Sequence, residues 1–200
     1  MVAEDEQIEM EAALRPYKNT LAEIVQRAFS YYANRYGNEA FKHTPRTRAN
    51  LINDHMVDEA HQIFTKKHPE IACVKANGRR LFEVPNLALL HLKRLDKQKR
   101  TRNYPTLFAI NFNDPQEFLP GLGPLPRLAI GYVPSRDWTR IEGIFITRPD
   151  GKEVRWFIEL GLPQVPPIPL TRTKPDDSTT SKRRARPKVK PTAREGGSKS

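Results

Sequence analysis

Lys93-Arg94-Leu95-Asp96-Lys97-Gln98-Lys99-Arg100-Thr101-Arg102 joins a mostly helical first half of the 200-residue chain to a mostly strand-like second half. The run holds six cations against one carboxylate. A stretch this basic repels itself and does not belong in a core. It is either a solvated connector or a surface that waits for an anion. Helices on one side of it and strands on the other give an α+β fold.

Upstream, Thr20-Leu21-Ala22-Glu23 fits a capping box, in which the hydroxyl and the carboxylate each satisfy a free backbone N–H. Leu21, Ile24, Val25, Ala28, Phe29, Tyr32 and Tyr36 follow at helical spacing, and Gly37-Asn38 supplies a stop. The aromatic members of that stripe could stack on bases, but their spacing is that of a core face. A second helix starts at Thr44-Pro45, with threonine as cap and proline at the first helical position. Ala49, Ile52, Met56, Ala60 and Ile63 share one face, with Val57 and Phe64 at its edge. Lys66-Lys67 closes the helix where cations suit the dipole. These two N-terminal helices are expected to pack on each other and on a sheet. Ahead of them, residues 1–18 carry Glu4, Asp5, Glu6, Glu9 and Glu11 and no clear apolar stripe. They read as an acidic flexible arm, with at most a frayed helix over Glu6–Leu14, able to fold back on the basic run.

Between the second helix and the basic run, Ile71–Lys75 and Arg80–Val84 flank Asn77-Gly78, a dipeptide that accepts the positive φ angles of a tight hairpin. Leu87–Leu95 is two-sided. Asn86 fits a cap for a short helix, whereas Leu90-His91-Leu92-Lys93 alternates as a strand does, and the strand is the preferred reading. Beyond the run, Thr106 caps a short helix to Phe112, and Leu119–Pro126 is a Pro/Gly loop. Strands follow at Arg127–Val133, Thr139–Thr147 and Lys152–Leu160, the last two joined by Pro149-Asp150-Gly151. The sheet is therefore expected to be antiparallel and built from hairpins. After Gly161, Pro163–Pro169 is polyproline-like linker. Thr171–Ser200 lacks aromatics and cannot bury enough apolar surface to offset its ordering entropy. The predicted organisation is an arm over 1–18, an α+β domain over 19–162, and a Pro-rich linker with a disordered basic tail over 163–200.

Charge is unevenly spread. Of a net +11, the tail from Thr171 carries +7, and Lys42–Arg102 carries +8 together with all five histidines. Such polarity points toward polyanions, nucleic acid first, with an acidic protein as the other fit. The single cysteine, Cys73, excludes an internal disulfide and Cys-rich zinc modules. Its strand setting reads as buried core. The acidic N-terminus has the wrong sign for a secretory or mitochondrial signal, and no apolar run approaches the roughly 20 residues of a membrane span. A cytoplasmic protein with no membrane partner is expected.

No nucleophile elbow, phosphate-binding Walker loop or dinucleotide fingerprint is present. His55 and His61 lie about 120° apart around a helix and cannot address one ion. Asp54, Asp58 and His61 do share a helix face and are the least implausible divalent-metal cluster, although that face lies opposite the apolar stripe. A metal nuclease would need an acidic residue on one strand and an acid-x-lysine on the next. Asp150-Gly151-Lys152 has that spacing but sits on a turn, and Glu83, Glu142 and Glu159 lack the lysine. No catalytic residue, metal site or cofactor is assigned.

Thr47–Ala60, Leu90–Asp96 and the order Pro-Gly-Leu-Gly-Pro-Leu-Pro-Arg-Leu-Ala-Ile-Gly-Tyr over 120–132 resemble an uncharacterised bacterial family, over residues 44–160 in all. Its members are often encoded beside a helix-turn-helix regulator fused to a zinc metallopeptidase-like domain. The resemblance implies an operon of toxin–antitoxin, mobile-element or phage-defence type, and a partner encoded in it. The expected function is a non-enzymatic regulatory or interaction protein on nucleic acid (DNA or RNA). Its phosphate contacts would be Arg79, Arg80, Lys93, Arg94, Lys97, Lys99, Arg100 and Arg102 in the body. In the tail they would be Lys182, Arg183, Arg184, Arg186, Lys188 and Lys190. The alternatives are a metal-dependent nuclease or toxin and a pure protein-binding, antitoxin-like module.

Overall fold

A computed structural model describes residues 2–102, 106–114 and 124–161. The linker and tail over 163–200 lie outside the described residues. The chain runs through α1 (Val2–Leu14), a 3-10 turn (Arg15–Tyr17), α2 (Lys18–Tyr36), a second 3-10 stretch (Gly37–Lys42) and α3 (Pro45–Lys67). The strands are β1 (Ala72–Ala76), β2 (Arg79–Val84), β3 (Ala88–Arg94), β4 (Arg127–Pro134), β5 (Ile141–Asp150) and β6 (Glu153–Glu159), with α4 (Leu107–Asn113) between β3 and β4. Among the described residues these strands form one six-stranded sheet in the order β1-β2-β3-β4-β5-β6. The fold is α+β.

Two local signals act as their chemistry dictates. Thr44 and Thr106 cap α3 and α4, their hydroxyls accepting from the N–H of Thr47 and Ala109 at 3.2 Å each. The β1–β2 turn has φ of 48° at Asn77 and 74° at Gly78, and Gly151 has 58° in the β5–β6 turn. The segment with two readings is strand β3.

Four expectations are corrected. Residues 2–14 are helical rather than a loose arm. Met10 and Leu14, one turn apart, are buried in the main core, and Glu6 lies 2.9 Å from Arg155 and 3.4 Å from Arg148. Thr20 does not cap a helix: α2 continues out of the preceding 3-10 turn and begins at Lys18, so its first N–H groups need no side chain there. Thr20 is instead buried with its hydroxyl 3.1 Å from His68 Nε2, and Glu23 reaches Lys67 at 2.7 Å, so that supposed box ties α2 to α3. The sheet is not wholly antiparallel, because β3 and β4 pair in parallel from Leu89–Arg127 to Arg94–Tyr132. A parallel pair needs a crossover rather than a hairpin, and residues 95–126 with α4 supply it. Cys73 is exposed, since β1 is an edge strand.

The main core lies between α1–α3 and one sheet face, where Phe82, Leu90, Leu92, Leu128, Ile130, Tyr132, Ile144, Ile146 and Ile158 meet Leu21, Val25, Ile52 and Met56. Each such side chain contributes about 1.5–3 kcal/mol by leaving water. On the opposite face, Phe108 and Phe112 of α4 cover Leu81 and Leu89. A third cluster joins Leu95, Val133 and Phe145. Gly131 in β4 has no room for a side chain, because a Cβ would overlap the carbonyl oxygen of Lys93. That close approach fixes the end of β3.

Candidate nucleic-acid interface

β2 and β3 pair at only three positions, Phe82–Leu90, Glu83–Leu89 and Val84–Ala88. Arg79–Leu81 pair with β1 alone, and His91–Arg94 pair with β4 alone. The first hairpin therefore parts from β3. Arg79 and Lys93 each stand three residues from the Phe82–Leu90 pair, so strand alternation puts both on the α4 face. Both line a cleft of about 1200 Å³. Its other walls come from the start of α3 (Pro45, Arg46, Ala49, Asn50), the Asp96–Arg102 turn, α4 and the β5–β6 turn.

The basic run owes its shape to its one carboxylate. Asp96 Oδ1 accepts from the N–H groups of Gln98 at 2.9 Å and Arg100 at 3.0 Å, and Oδ2 accepts from Arg100 Nε at 3.1 Å. Backbone bonds between Asp96 and Arg100 and between Asp96 and Lys99, both at 2.9 Å, close the turn, with Lys99 at a φ of 63°. Leu95 bridges to Thr101, and the Arg102 N–H donates to the Arg94 carbonyl at 3.2 Å. The stretch read as either a solvated connector or an anion-binding surface is thus the end of β3 followed by a built turn. This turn sorts the cations. Lys93, Arg94, Arg100 and Arg102 line the cleft; Lys97 is exposed away from it; Lys99 sits 4.8 Å from the Phe157 ring centre and 5.6 Å from that of Phe145.

Among the described residues, seven cations line the cleft (Arg46, Arg79, Lys93, Arg94, Arg100, Arg102 and Lys152) against the acids Asp96, Asp114 and Glu153. Arg100 is held by Asp96. Among the described residues, none of the other six cations forms an ion pair with a carboxylate. Arg79 lies over the Phe108 ring at 5.7 Å and Arg94 over Trp138 at 5.4 Å, so aromatic faces position both while leaving their charge unneutralised. Burial, and then the charge of Arg79, pull the Lys93 ammonium down to about 8, with Asp54 offsetting only part of this. His91 is buried with its ring 4.9 Å from Phe112 and 5.9 Å from Phe108. Burial first, then Lys93 and Arg79, hold it well below the ordinary imidazole range, so it is neutral. Arg79, Lys93 and Arg94 are half-buried, whereas Arg46, Arg102 and Lys152 are exposed, so an anion gains most at the half-buried three.

Of the residues expected to bind, Arg79, Lys93, Arg94, Arg100 and Arg102 come together, whereas Arg80, Lys97 and Lys99 do not line the cleft. Lys182, Arg183, Arg184, Arg186, Lys188 and Lys190 lie outside the described residues. Sequence reasoning missed Arg46 and Lys152, because no local pattern reveals that the start of α3 and the β5–β6 turn reach the same space. Asp54, Asp58 and His61 are exposed on α3, and Asp58 accepts from Gln62 at 2.9 Å. Among the described residues, no three His, Cys, Asp or Glu side chains converge as metal ligands would. No family model matches the chain, and neither a curated protein nor a solved structure matches it.

Proposed function

We propose that this protein binds nucleic acid by its phosphates, in the cleft between the first hairpin, the end of β3 and α4. It acts as a non-enzymatic regulatory or interaction protein. The observation that carries this reading is the set of six cations that line one cleft and, among the described residues, form no ion pair with a carboxylate. Bringing them together is unfavourable by mutual repulsion, and a polyanion offsets that repulsion. The tail cations Lys182–Lys190 add sequence-independent phosphate contacts. A bacterial operon of toxin–antitoxin, mobile-element or phage-defence type is the setting that the resemblance implies.

The test is binding of fluorescent DNA and RNA over a salt series, with and without Mg²⁺, for the full chain and for residues 1–170. Binding by residues 1–170 with a clear salt slope supports the cleft. If all binding leaves with the tail, the body serves something else, and a stoichiometric acidic protein partner becomes the reading. Mg²⁺-dependent cleavage that disappears in Asp54→Ala replaces the non-enzymatic assignment with a nuclease.

A further inference from the structure

We propose that the Arg79–Lys93 end of the cleft is a subsite for a phosphomonoester, the phosphorylated end of a strand or the phosphate of a nucleotide. The proposal rests on the cleft's reading as a phosphate-binding surface and names the group its inner end takes. The two residues come from strands that part at Phe82–Leu90 and project on one face. Arg79 is held against Phe108, and Lys93 extends from a backbone pinned by the close packing of Gly131. Neither is ion-paired with a carboxylate among the described residues. Two cations on one sheet face, neither in an ion pair with a carboxylate among the described residues, match a ligand that brings two negative charges on one atom group.

A phosphodiester carries one charge and two substituents. A phosphomonoester carries about −1.5 to −2 at neutral pH and has three free acceptor oxygens. It can accept from the ammonium and the guanidinium at once while its single substituent runs out along the cleft. The guanidinium gives planar paired donors and the ammonium a compact charge, which suits two oxygens on one phosphorus. The other cations, Arg46, Arg94, Arg102 and Lys152, lie on different walls of the cleft, where a continuing backbone would pass.

The test compares single-stranded oligonucleotides, internally labelled and alike except for a 5′-phosphate, a 3′-phosphate or hydroxyl ends, on the full chain. A parallel arm compares a nucleoside monophosphate with its nucleoside by calorimetry. A phosphorylated form is expected to bind about tenfold tighter, the size of one charge-assisted contact. Lys93→Gln and Arg79→Gln should abolish that preference while hydroxyl-ended strands still bind; Lys93→Arg should retain it. Arg46→Gln should weaken all strands alike.

Equal affinity of phosphorylated and hydroxyl forms in both arms overturns the subsite, and the nucleic-acid reading survives if the strands still bind. A preference that persists in folded Lys93→Gln and Arg79→Gln, judged by circular dichroism, also overturns it. If no strand binds but the monophosphate does so through Lys93, the subsite stands with a nucleotide as its ligand, and the nucleic-acid reading fails.

Discussion

His91 is the clearest case of one residue linking core and site. Its ring fills the space beneath Phe108 and Phe112, and its neutral form is enforced by burial and by Lys93 and Arg79. A base whose folded pKa lies below its unfolded value costs stability as pH falls through the unfolded value, since the unfolded chain takes up the proton first. The thermal midpoint should therefore drop as pH falls below about 6.5. His91→Phe should flatten that decline; an unchanged slope would remove His91 as its source. Lys93 follows the same rule at higher pH. With its folded value at about 8, the chain is expected to gain stability as pH rises from there toward the unfolded lysine value, because a charge then need not be held buried and next to Arg79. An anion at Lys93 draws the proton back. Binding near pH 8.5 should thus take up a proton, seen as a calorimetric heat that depends on the buffer, and Lys93→Gln should abolish that dependence. Sequence spacing marked Lys93 as basic but gave no hint of its burial, which comes from neighbours on β2, α3 and α4.

At the scale of elements, α1 and the Asp96 turn show why local signals divide into legible and illegible ones. Thr44, Thr106 and Asn77-Gly78 are read correctly because a cap or a tight turn is completed within about four residues. The α1 signal is thin: among its described residues only Met10 and Leu14 enter the core, and the acidic residues around them look like a solvated arm. Yet Leu14 is fully buried, and Leu14→Ala should cost about 2–5 kcal/mol in urea unfolding. Glu6→Gln should cost under about 1 kcal/mol, because its pairs with Arg148 and Arg155 are partly solvated. A small effect of Leu14→Ala would return residues 2–14 to the status of an arm. Asp96 makes the opposite point. In the sequence it is the lone carboxylate in a basic run; in the structure its two oxygens set the turn that brings Arg100 and Arg102 to the cleft. Asp96→Ala adds net positive charge, so a simple charge count predicts tighter nucleic-acid binding. The turn geometry predicts weaker binding, and fluorescence titration at one salt concentration decides between them.

For the whole molecule, the proposed nucleic-acid binding turns on how many phosphates each surface would neutralise. The logarithm of the binding constant should fall with the logarithm of salt by about 0.7–0.9 per phosphate contact. Combined Arg46→Gln, Arg102→Gln and Lys152→Gln should reduce that slope in the full chain by about two to three units. Substituting Arg80 and Lys97, which lie off the cleft, should change it less. Equal effects of the two sets would mean that net charge alone, and not the cleft, attracts the ligand. Among the described residues no helix is long and apolar enough to cross a membrane.

By itself the sequence determined what short-range chemistry can specify. That comprises the α+β order, the spans of α2, α3 and the later strands to within a few residues, the two hairpin turns, two of the helix caps, and an uneven spread of positive charge. Only the tertiary structure decided the parallel pairing of β3 with β4, the early parting of β2 from β3, the burial of α1, and the meeting of Arg46, Arg79, Lys93 and Lys152 around one cleft. The physical reason is range. Caps, turns and alternation are completed by neighbours in the chain, whereas strand partners and converging charges are chosen by the joint packing of segments that lie tens of residues apart.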